Sequence, residues 1–150
     1  MQSLASSVKF SRQINATAAG VTAVNGSGVD MQGWDGVLFI CAIGTLSATQ
    51  VTSLKAQSDT QANFATAADT AGSNTGPYAD ADSNKMLVLD VYRPAKRYVR
   101  PVVLRATANA VIDGVIAIQY KGGKLPLAAG LIDVTQKALK TLVSPADGAP

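Results

Sequence analysis

The sequence predicts an all-β sandwich, with a jelly roll as the favoured form and helix confined to one or two short pieces. Three observations carry this reading. All ten acidic residues are Asp, with no Glu; Glu is a good helix former, while Asp prefers caps and turns. The apolar residues gather in strand-length runs rich in Val and Ile. Clusters of Gly, Pro, Asn, Asp and Ser separate those runs at short intervals. A chain of 150 residues suits one domain. It buries enough surface to fold without a metal or disulfide. The expected core covers about residues 8–122, with extended N- and C-terminal arms, the latter from about 123 to 150.

Val8, Phe10 and Ile14 fit a first strand or an extended arm. Between Val21 and Val29, Asn25-Gly26 reads as a turn joining short β pieces. Gly33-Trp34-Asp35-Gly36 then introduces Val37 to Ile43, a continuous apolar run closed by Gly44. Its length and branched residues predict a strand buried on both faces. Residues 49–57 alternate, Val51, Ser53 and Lys55 against Thr52, Leu54 and Ala56, which predicts a strand with one wet face. From Ser58 to Asn84 the chain is polar and small, with a short strand expected near Asn63–Ala67 and an exposed excursion over Asp69–Asn84.

Lys85 to Tyr92 reads as a strand ended by Arg93-Pro94. Tyr98 to Ala106 is another, with Pro101 pointing to an edge position or a bulge. Val111 to Tyr120 is a third, in which Asp113-Gly114 marks a hairpin turn or a bulge. After the breaker Gly122-Gly123-Lys124-Leu125-Pro126, apolar residues at 131, 134, 138 and 142 fit a short amphipathic helix, or an arm that packs on a neighbouring chain.

The composition narrows the chemistry. The chain has no His, so a Ser-His-Asp or Cys-His site is impossible within it. A single Cys, Cys41, closes no intrachain disulfide and reads as a small buried hydrophobe. No apolar run reaches membrane-span length, and no secretory signal is visible at the start. The net charge of +3 does not by itself indicate nucleic acid. Asp80, Asp82 and Asn84 match the opening of a calcium loop, but Lys85 stands at its Gly position and Val91 at its Glu position, so a polar turn is the better reading. The glycines at 26 and 28 lack the third Gly of a dinucleotide fingerprint, and there is no phosphate loop. No enzyme activity, metal or cofactor is expected.

Two segments qualify as protein-binding candidates. Arg93, Lys96, Arg97, Tyr98 and Arg100 form a basic, aromatic connection of the kind enriched at interfaces. Arg105 follows, but its parity sends it to the opposite face from Arg100 unless Pro101 introduces a bulge. The second candidate is the tail, through Leu131, Ile132, Val134, Leu139, Leu142 and Val143, whose burial on a neighbour or on the chain's own core removes costly apolar surface from water.

The blocks WDGVLF, KMLVLDVYRPAKRYVR and TANAVIDGVIAIQY resemble a group of small structural proteins that decorate or cement the capsid shells of tailed bacteriophages. The matching blocks lie mainly in the second half of the chain. The resemblance implies a jelly roll or related sandwich, no catalysis, and the major capsid protein as partner. It implies a place on the capsid surface of a virion assembled in the host cytoplasm. Self-association is also expected, a dimer ahead of a trimer. Neither a membrane nor nucleic acid is expected as partner. The competing class is a carbohydrate-binding jelly-roll module that uses Trp34 or Tyr78.

Overall fold

The computed structural model describes residues 4–121. A helical turn α1 (Leu4–Ser7) leads into ten strands: β1 (Val8–Ile14), β2 (Thr17–Gly20), β3 (Val24–Asn25), β4 (Val29–Asp30), β5 (Gly36–Leu46), β6 (Val51–Asp59), β7 (Ala68–Asp69), β8 (Met86–Tyr92), β9 (Tyr98–Ala106) and β10 (Ala110–Tyr120). They form two antiparallel sheets. The first runs β1-β10-β5-β8, with β2 also pairing β10; the second runs β3-β9-β6-β7, with β4 also pairing β9. The chain is a β-sandwich.

Alternation places the core between the sheets. On β5, Val37, Phe39, Cys41 and Ile43 point inward and are buried. Across from them, Leu54 and Ala56 of β6 and Val99 and Val103 of β9 close the same cluster. On β10 the inward set is Ala110 and Ile112, then Val115 and Ala117. That change of parity comes from a bulge at Asp113-Gly114, where the register with β5 shifts. Without the extra residue, half of β10 would turn its apolar side outward. Gly114 sits at φ +151, and a Cβ there would lie 3.2 Å from the Ile14 carbonyl oxygen. The bulge reading of Asp113-Gly114 therefore holds.

Several expectations are corrected. The N-terminal arm ahead of residue 8 is, where described, a helical turn rather than extended chain. The strand expected to stop at Gly44 continues to Leu46, because Gly44 lies close against Val111 and Asp113 of β10 and so serves packing rather than chain reversal. Only one face of β5 is fully buried; Leu38, Ile40 and Ala42 on the other are partly exposed. No strand forms at Asn63–Ala67, where turns run into β7 instead. Pro101 occupies no edge, since β9 has neighbours on both sides. It is tolerated because its outer neighbour is interrupted there: β3 pairs with 102–103 and β4 with 98–99. Gly26 in the gap donates its N–H to the Pro101 carbonyl at 2.8 Å, and no acceptor is left waiting for the N–H that proline lacks.

The segment after Asp69 is not an excursion. It lies along β6 and completes its hydrogen bonding. The N–H groups of Thr70, Thr75 and Tyr78 donate to the carbonyls of Ala56, Leu54 and Thr52. The Ser73 and Thr75 hydroxyls accept from the N–H groups of Ala56 (3.0 Å) and Leu54 (3.3 Å). Asp80, Asp82 and Asn84 follow in a single 3-10 turn and its exit. Their carboxylates serve as turn acceptors: Asp80 for the Thr49 N–H and Asp82 for the Ala79 N–H.

Arg105 is a rivet between the two sheets. Its parity turns it inward, as expected, and it is buried. Nε donates to the Thr22 carbonyl (2.8 Å), and Nη1 to those of Ala18 on β2 (2.8 Å) and Ala110 on β10 (2.9 Å). Gly20 leaves room for the guanidinium, which would lie 3.0 Å from a Cβ at that position.

Candidate protein interface

The basic connection between β8 and β9 rests on the sandwich at both ends. The Arg93 N–H donates to the Asp35 carbonyl at 2.7 Å, and the Met31 N–H donates to the Arg97 carbonyl at 2.8 Å. These two bonds hold 93–97 against the Met31–Asp35 turn. Between them lies an open cleft of about 540 Å³, lined by Trp34, Asp35, Arg93, Lys96 and Arg97 among others. Trp34 is half-buried and packs on the core.

The five sequence candidates here divide by what they touch. Arg93 is exposed, with its guanidinium 5.3 Å from the centre of the Tyr92 ring. Lys96 reaches the Ser58 carbonyl at 3.5 Å. Arg97 forms a two-pronged ion pair with Asp30 (2.9 and 2.7 Å) and stacks over Tyr98. The Arg97 hydrogen bonds hold the Asp30 carboxyl below its usual range, and the same contact raises Arg97. Arg100 donates twice to Gln57 Oε1 (3.0 and 2.7 Å) over the Phe64 ring, on the outer face of the second sheet. The structure brings Arg93, Lys96 and Arg97 to one cleft and leaves Arg100 outside it. The tail candidates Leu131, Ile132, Val134, Leu139, Leu142 and Val143 lie outside the described residues.

A surface that the sequence reading did not single out is larger. Register fixes which residues share the outer face of the first sheet, in four rows across β1, β10, β5 and β8. The end row is Val8, Tyr120, Gly36 and Tyr92. Next come Phe10, Ile118, Leu38 and Asp90. The third is Arg12, Ile116, Ile40 and Val88, and the last is Gly114, Ala42 and Met86. Asp90 and Arg12 are the charges within these rows; at the margins Asp113 lines the groove beside Gly114, and Lys121 stands over the Tyr92 ring. The apolar side chains are not hidden: Met86 is 69% exposed, Val88 53%, Tyr92 50% and Ile116 41%. Tyr120 bridges the Gly36 row to Asp90 at 2.7 Å. Burial first, then that bond to Asp90, pushes its phenol up to about 12.

The outer face of the second sheet is the opposite case. There Lys55 and Gln57 hold Asp69 at 2.7 and 2.9 Å, while Arg100 holds Gln57. The signal for the apolar face was present in the sequence. Met86 to Leu89 and Val115 to Ile118 are apolar on both parities, whereas an antiparallel strand with one wet face alternates.

Cys41 belongs to neither surface. It is buried, and desolvation first, then the Asp113 charge, pushes its thiol up to about 12. The folded chain is expected to leave Cys41 unlabelled by a thiol reagent at pH 8 and to label fully in denaturant. Rapid labelling of the folded chain would contradict this burial.

Comparison with protein-family models gives no match, and comparison with curated proteins finds no relative.

Proposed function

We propose that this chain is a non-enzymatic structural protein that attaches to the outside of a tailed-phage capsid shell and cements its major capsid subunits. The observation that supports this best is the apolar outer face of the first sheet. A sandwich that works alone keeps its outer faces polar, and a contiguous apolar face marks a protein contact. The Arg93–Arg97 cleft supports the attachment itself, since Arg93 and Lys96 stand where carboxylates of a shell can reach them. The strand orders, β1-β10-β5-β8 against β3-β9-β6-β7, support reading the sandwich as a jelly roll. Among the described residues no three metal-ligating side chains converge.

The test is cosedimentation of the purified full chain with shells of the same phage prepared without it. Saturable binding at a fixed ratio to the major capsid protein, with a higher rupture temperature of the shell, is the expected result. Arg93→Ala with Lys96→Ala is expected to weaken binding by about tenfold, the scale of one or two charge-assisted contacts. No binding at any ratio would overturn the proposal. Glycan binding lost on Trp34→Ala would favour the carbohydrate-binding rival.

A further inference from the structure

We propose that the apolar outer face of the first sheet is covered by a second copy of this chain, the two faces packing against each other about a twofold axis parallel to the strands. This rests on the reading of that face as a protein contact and names its partner. The register of the face carries the argument. It has a ridge along one edge, where Met86, Val88 and Tyr92 of β8 project. On the other edge Val8 of β1 is covered, while Arg12 of the same strand is exposed. Across the last two rows a groove of about 320 Å³ runs from Arg12 and Gly114 over Ile40 and Ala42 to Met86.

A twofold axis along the strands keeps each row in place and exchanges β1 with β8 and β10 with β5. The β8 ridge of each copy then lies over β1 of the other. Tyr92 comes over Val8, Val88 over Arg12, and Met86 to the Gly114 end of the groove. The central pairs become Ile118 on Leu38 and Ile116 on Ile40, apolar on apolar. The charges obey the same operation. Arg12 and Asp90 stand on opposite edges in adjacent rows. Pairing therefore brings each Arg12 to within about one row, roughly 7 Å along the strand, of the other copy's Asp90. Under this one rotation the face meets itself apolar on apolar, with opposite charges approaching, which is the pattern of an isologous contact.

The area is adequate. Four strands at about 4.8 Å spacing and four rows about 7 Å apart give a flat footprint near 500 Å² per copy. Two copies cover about 1,000 Å² before side-chain relief is counted, the lower bound for a biological contact.

Sedimentation of the full-length chain tests this, with circular dichroism as the check on folding. The expected result is a dimer. Val88→Lys sets a cation over the other copy's Arg12, and Ile116→Lys, separately, sets one beside Arg12 of its own copy and over the other copy's Ile40; each is expected to weaken self-association at least about a hundredfold. Both sites are solvent-exposed in the single chain, so the fold is expected to survive. Val51→Asp, an exposed apolar site on the other sheet, is expected to leave the dimer intact. A full-length chain that stays monomeric at high concentration overturns the pairing, as does a dimer unmoved by both face substitutions. A monomer that binds shells and loses that binding on Val88→Lys overturns the pairing in favour of the shell as occupant. A dimer that dissociates as expected but never binds shells upholds the pairing and removes the capsid function instead.

Discussion

Arg105→Met is expected to cost about 3–5 kcal/mol of folding stability. Three backbone carbonyls would lose a charged donor, that of Ala110 inside the sandwich and those of Ala18 and Thr22 at part-buried positions. Each buried acceptor left unsatisfied costs about 1–3 kcal/mol, and the three losses overlap because one side chain serves all of them. Methionine fills much of the volume, so the loss reports hydrogen bonding more than packing. Arg105→Lys is expected to restore little, since one ammonium cannot reproduce the planar fork that reaches three carbonyls in different directions. Urea unfolding is the measurement, with the midpoint falling and the slope unchanged. A loss under about 1 kcal/mol would mean that the carbonyls find other donors. A domain with a total stability of about 5–15 kcal/mol has little margin for the expected change.

Phe39→Ala is expected to cost a similar amount, about 3–5 kcal/mol, for a different reason. Phe39 is wholly buried on β5, in the inward row with Leu89 of β8 and Ala117 of β10. Its cross-strand neighbour Ala117 is too small to collapse into the space. The cavity therefore persists, and its cost adds to the lost transfer energy. Phe39→Leu is expected to recover more than half of the loss. The same urea titration separates the three variants, and equal midpoints for Ala and Leu would count against a rigid core at this position.

Most of the sandwich was legible because alternation and turn chemistry act locally. Thr52, Leu54 and Ala56 were separable from Val51, Ser53 and Lys55 by parity alone, and the structure buries the first set completely; of the expected wet face Ser53 is buried as well, against Gly76. What was not legible depends on contacts distant in sequence. Arg105 reads as one more cation in a basic run until β2 and β10 surround it. Pro101 reads as an edge marker until the gap between β3 and β4 explains it. The Ser73 and Thr75 hydroxyls look like loop polarity, because nothing local shows that they replace a missing strand beside β6. For the candidate interface, sequence brought Arg93, Lys96 and Arg97 together correctly but grouped Arg100 with them, although Gln57 and Phe64 hold it on the outer face of the second sheet. The apolar outer face went unread because a run such as Met86-Leu87-Val88-Leu89 shows only that both parities are apolar. Deciding which parity lacks a neighbour requires the register of four strands.

The hydroxyl-lined segment along β6 bears on how such a chain behaves when crowded. An unprotected strand edge templates the addition of another strand, and at high local density that reaction has no natural end. Here the chain's own backbone and two side-chain oxygens already occupy the edge of β6 from Thr52 to Ala56. The second sheet is thus closed to growth along that side. Copies of this chain crowded side by side on a surface would not join through that edge.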